Sequence, residues 1–71
     1  MDRVTQALVE ARKVAGLTQQ QLADHLGIRQ PTLAAIEKGR RPFPRERYGQ
    51  LPKAIRRRVV DAAIAELKAL R

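Results

Sequence analysis

Three glycines constrain this chain more than any other feature. Gly16, Gly27 and Gly39 each stand directly after a segment whose apolar residues recur at helical spacing. Glycine enters the left-handed conformation that closes a helix at no steric cost, so each one reads as a stop. Only short helices fit between the stops. Val4, Leu8, Ala11 and Ala15 place a first helix over about Arg3–Ala15, with Asp2 as its N-cap. A second begins at Thr18, where Thr18-Gln19-Gln20-Gln21 fits a capping box and Leu22, Ala23 and Leu26 give the apolar face. A third starts near Arg29–Pro31, with Leu33 and Ile36 pointing inward. Helices of about two turns are unstable in isolation, so these must pack on one another. Period-2 alternation is absent and no strand is expected.

Beyond Gly39 the pattern changes. Arg40–Pro44 reads as a loop and Arg45–Gln50 as a single helical turn containing Tyr48; Pro52 then opens a long helix from about Lys53 to Leu70. Its apolar positions are Ile55, Val59, Val60, Ala63, Ile64, Leu67 and Leu70. That stripe is wide for 71 residues. Part of it can cover the core; the remainder needs a partner or stays exposed. The expectation is one all-α domain over residues 1–71, a compact bundle of four or five helices whose long C-terminal helix contributes Val60, Ile64 and Leu67 to a subunit contact.

Charge narrows the ligand. Fifteen Lys and Arg against seven Asp and Glu give a net charge of +8. The excess is local: Lys38, Arg40, Arg41, Arg45, Arg47, Lys53, Arg56, Arg57 and Arg58 fall in one segment with a single acid, Glu46, and the remaining residues balance. Such a footprint suits a polyanion. Arg56, Arg57 and Arg58 sit in the first turns of a helix, where the macrodipole disfavours cations, which suggests a phosphate or an acidic partner for them. The chain has no cysteine and one histidine, His25, so disulfides and thiolate metal sites are excluded and no cofactor or metal is expected. No nucleophile–base pair, phosphate loop or apolar carboxylate pair supports an enzyme. No membrane span or secretory leader is expected, and a cytoplasmic location follows.

The two short helices joined by Gly27-Ile28-Arg29 form a helix–turn–helix over Thr18–Gly39. A helix that enters the major groove needs a slim outer face near its start, which Pro31, Ala34 and Ala35 provide. Arg29 and Gln30 add hydrogen-bonding groups there; a glutamine at this place has a bidentate partner in adenine, and a guanidinium one in guanine. Gln19 opens the preceding helix, where free N–H groups grip phosphate.

The run Leu17–Ile28, then Thr32-Leu33, then Ile36-Glu37-Lys38-Gly39-Arg40-Arg41, resembles the Cro/CI (XRE) helix–turn–helix family, and the resemblance spans about Leu8–Arg41. It implies a lambda-repressor-like DNA-binding fold and a bacterial or phage regulator of transcription, commonly a homodimer on a palindromic operator. Carried over by position, it implies base contacts at Gln30, Pro31 and Ala35, and phosphate contacts at Gln19, Arg40 and Arg41. It also implies an internal salt bridge between Arg12 and Glu37. Arg29 and Thr32 join the base-reading set on their own chemistry, and Lys38, Arg45 and Arg47 the phosphate set. The chain departs from the family at Arg29, where a Ser or Thr cap is usual, at the apolar Pro31 and Ala35, and throughout its C-terminal third. The reading is a sequence-specific repressor of double-stranded DNA. The alternative is an antitoxin-like or adaptor protein whose C-terminal helix binds another protein. Membrane-surface binding is disfavoured by the absence of tryptophan, and single-stranded RNA readout by the scarcity of aromatics.

Overall fold

The computed structural model describes residues 2–69: α1 (Arg3–Val14), α2 (Gln19–Leu26), α3 (Gln30–Glu37), a 3-10 turn (Arg45–Gln50) and α4 (Lys53–Ala69). No strand occurs among the described residues. The caps sit where the side chains require them. Asp2 accepts the Thr5 amide at 2.6 Å and opens α1. That hydrogen bond holds the Asp2 carboxyl below its ordinary value, so the cap's contribution is lost as pH falls through the acid range. Thr18 and Gln21 form the full capping box of α2, Oγ1 accepting from the Gln21 amide and Gln21 Oε1 from the Thr18 amide. Arg29 stands at the N-cap of α3 and makes no capping hydrogen bond.

α1, α2 and α3 end alike. Leu17 N donates to Arg12 O and Gly16 N to Lys13 O; Ile28 N to Ala23 O and Gly27 N to Asp24 O; Arg40 N to Ala35 O and Gly39 N to Ile36 O. This is the Schellman arrangement, and the glycine in each carries a positive φ, +67° at Gly27. At Gly27 the backbone reverses in the left-handed region, so the turn between α2 and α3 favours glycine.

The core gathers Leu8 and Ala11 of α1, Leu22, Ala23 and Leu26 of α2, Leu33 and Ile36 of α3, Phe43, Leu51, and Ile55 and Val59 of α4. Phe43 stacks on Tyr48 with ring centroids 5.3 Å apart, which anchors the loop after α3. α1 and α4 form the most extensive helix pair, and Glu66 Oε1 accepts the Arg3 amide at 2.7 Å, tying the start of α1 to the last turns of α4. One expectation needs correction. Ala15 is exposed although its backbone is still helical and its amide bonds the Ala11 carbonyl at 2.9 Å: it lies past Ala11, the last core residue of α1, where the chain turns at Gly16. The apolar stripe of α4 divides as expected: at about 100° per residue, Ile55 and Val59 share the inner face while Val60, Ile64 and Leu67 are rotated away from it. The exposures agree, 0% for Ile55 and Val59 but 45% for Ile64 and 64% for Leu67. Leu70 lies outside the described residues.

Candidate nucleic-acid interface

α3 is anchored through Leu33, Ile36 and Glu37, all buried. Helical geometry then turns Pro31, Ala34, Ala35 and Lys38 away from the core, with Gln30 on one flank and Thr32 on the other. Pro31 and Lys38 are exposed; Gln30, Thr32, Ala34 and Ala35 are half-buried. The outer surface is therefore low along Pro31, Ala34 and Ala35, and polar at its edges.

The Gln30 flank is held by a chain of hydrogen bonds. Gln30 Nε2 donates to Gln19 Oε1 at 2.7 Å. Gln19 Nε2 donates to Glu37 Oε1 at 2.9 Å. Glu37 in turn accepts from Arg12, Nε to Oε2 at 2.8 Å and Nη2 to Oε1 at 3.0 Å. Arg12 Nη1 donates to the Leu17 carbonyl at 2.8 Å. The Arg12–Glu37 contact is the one ion pair among the described residues, with side chains 12% and 6% exposed. The implied internal bridge is thus present, and it is linked to the two glutamines. Gln19 was expected on phosphate. Here its side-chain amide serves Glu37 and Gln30, and in the same first turn the Gln21 backbone N–H serves Thr18 Oγ1.

The Thr32 flank faces the basic loop. Thr32 and Arg41 line one groove together with Ile28, Ile36, Pro42, Pro44, Glu46 and Arg47. Arg40 and Arg41 are both exposed. Arg45 is not brought to this groove; it lines another with Val4, Tyr48, Ala63, Glu66 and Leu67, near the C-terminal half of α4. Arg47, expected on phosphate, is engaged internally: Nη1 donates to the Leu26 carbonyl at 3.1 Å and to Gln50 Oε1 at 2.9 Å. It caps the end of α2 and fixes the turn before α3. No local signal marks this, because the acceptor lies 21 residues away. Lys53, Arg56 and Arg57 form an open basic strip beside Val60 and Asp61 on α4.

The geometry is a short helix docked across another, a glycine turn between them, and a basic loop beyond. A comparison with protein families decides between this and an accidental likeness: the family described as a helix-turn-helix domain matches residues 5–67, through α4. The chain belongs to the helix-turn-helix domain family. Its type is that of the Cro/CI (XRE) regulators. No curated protein and no solved structure matches it. Membership of this helix-turn-helix family points to a DNA-binding regulator, and families of this kind are typically non-enzymatic. No helix among the described residues is long and apolar enough to cross a membrane.

Proposed function

We propose that this helix-turn-helix domain is a sequence-specific repressor that binds a palindromic operator as a homodimer. The observation that carries the reading is the low outer face of α3, flanked by the hydrogen-bonded Gln30 and by Thr32 beside the Arg40–Arg41 loop. Gln30 reads adenine, Arg29 reads guanine or grips a phosphate, and Pro31 and Ala35 pack on thymine methyl groups. Arg40, Arg41 and Lys38 hold the backbone. A helix seated in the major groove keeps other proteins off that stretch of DNA, so occlusion of promoter DNA is the mechanism that fits this site.

The outward face of α4 supplies the dimer contact. An antiparallel pairing of two α4 helices centred on Ile64 brings Val60, Ile64 and Leu67 against their counterparts. The same pairing sets Asp61 opposite Lys68 of the partner subunit, so the register is favoured by charge as well as by apolar burial. The exposure of Ile64 and Leu67 also suits a different protein partner, as an antitoxin-like or adaptor protein would have. Leu67→Asp separates the two: the dimer reading expects sedimentation to shift to the monomer with α-helical content retained. A dimer that persists places the contact elsewhere.

Selection of bound sites from a random duplex library at ~150 mM salt, with the mass of the complex measured on the winners, tests the whole reading. The expected outcome is a palindrome bound by two chains, with half-sites about 34 Å apart. Binding without any motif overturns it. Replacing Arg40 and Arg41 together by alanine is expected to weaken specific and random DNA alike. The slope of log K against log salt should become shallower by about 1.8, two phosphates at about 0.9 each. An unchanged slope removes the pair from the interface.

A further inference from the structure

We infer that Glu37 is a positioning residue for base choice: it sets the direction of the amides of Gln19 and Gln30, and so makes position 30 prefer adenine over guanine. The inference rests on the reading of Gln30 as a base contact and extends it to a buried residue that never reaches DNA.

The argument follows the donors and acceptors. A carboxylate only accepts hydrogen bonds. Gln19 therefore has to turn its NH₂ toward Glu37 Oε1, 2.9 Å away. Its own Oε1 is then left for Gln30, which has to answer with NH₂ at 2.7 Å. Each amide direction is fixed by the one before it, starting from an anion that Arg12 holds with two N–H groups. At the end of the chain Gln30 retains one N–H and one carbonyl oxygen, in a set order. Adenine presents an acceptor at N7 and a donor at N6, which matches that pair; guanine presents two acceptors, N7 and O6, which would leave its O6 against the Gln30 oxygen. No buried side-chain nitrogen or oxygen among the described residues lacks a hydrogen-bond partner, so this order of donors and acceptors strands none of them.

Glu37→Gln removes the anchor while keeping size and shape. An amide at 37 both donates and accepts, so Gln19 and Gln30 can turn over together and Gln30 can offer both N–H groups outward. The expected result is that the adenine-over-guanine preference at the single operator position read by Gln30 falls about ten-fold, with preferences at other positions unchanged. Binding is measured by competition with duplexes that differ only at that base, below the melting temperature of each variant. Gln19→Met is the companion, since it leaves the Arg12–Glu37 pair in place; it should lose the same preference at the same position. Loss of a phosphate contact alone would lower affinity for all four bases equally. Gln30→Ala marks the position. If Gln30→Ala changes the preference there but neither Glu37→Gln nor Gln19→Met does, the positioning role is overturned and the base contact stands. If Gln30→Ala changes no preference, the base contact and the inference fall together.

Discussion

Replacing Arg12 by alanine is expected to remove a large share of the stability of this domain. The substitution leaves Glu37, 6% exposed, without the guanidinium that supplies two of its hydrogen bonds, and frees the Leu17 carbonyl as well. Breaking one side of a buried ion pair costs about 3–5 kcal/mol, because an uncompensated charge remains in a poorly solvated place. A chain of this length has roughly 4–10 kcal/mol in total. The melting temperature, followed by circular dichroism, should therefore fall by at least about 12 °C, given about 4–8 °C per kcal/mol in a domain this small. Arg12→Lys should recover little, since an ammonium cannot span both carboxylate oxygens and the Leu17 carbonyl. Replacing Arg12 and Glu37 together by leucine should lose far less than Arg12→Ala, because no charge is stranded. A melting temperature within about 4 °C of the parent for Arg12→Ala would mean less than about 1 kcal/mol and show the pair to be dispensable.

How much of this was legible in the sequence depends on the distance between partners. Caps and stops involve neighbours three to five residues apart. Asp2, the Thr18–Gln21 box and the three glycines were accordingly all readable from local chemistry. The Arg12–Glu37 pair joins residues 25 apart, and only resemblance to a family pointed to it. Separations of 18 and 21 residues likewise hid the engagement of Gln19 by Glu37 and of Arg47 by the Leu26 carbonyl, so both side chains were read as free to meet phosphate. The α4 stripe was legible too. Apolar periodicity identifies the helix, its surplus of apolar residues, and Val60, Ile64 and Leu67 as the part directed outward. Ile55 and Val59 took the inner face and left Ile64 and Leu67 outside. Ala15 shows the limit: its spacing was right, but the core on α1 ends at Ala11, which is a tertiary fact.

Leu33→Ala is expected to have the second large effect, and it bears on function through the mounting of α3. Leu33 is fully buried and shares one core with Leu22 and Leu26 of α2 and Ile36 of its own helix. Truncating it deletes buried methyl groups and leaves a void, at a cost of about 2–5 kcal/mol. The lower figure applies only if the surroundings collapse into the gap. Collapse here is resisted by two restraints at the C-terminal end of α3, the Gly39 turn and the hold of Arg12 on Glu37. A fall in melting temperature toward the upper part of about 8–40 °C is therefore expected. The hydrogen bonds from Gln30 to Arg12 do not involve Leu33. The folded fraction of the variant should accordingly keep the base preference of the parent, and the loss in DNA binding should track the unfolded population as temperature is raised. Ala34→Ser, on the outer face of the same helix, offers the contrast: little change in melting temperature, and any effect confined to DNA. If Leu33→Ala altered base preference at a temperature where it is fully folded, α3 would be seated by the core in its reading position, and the hydrogen-bonded flank alone would not suffice to hold it.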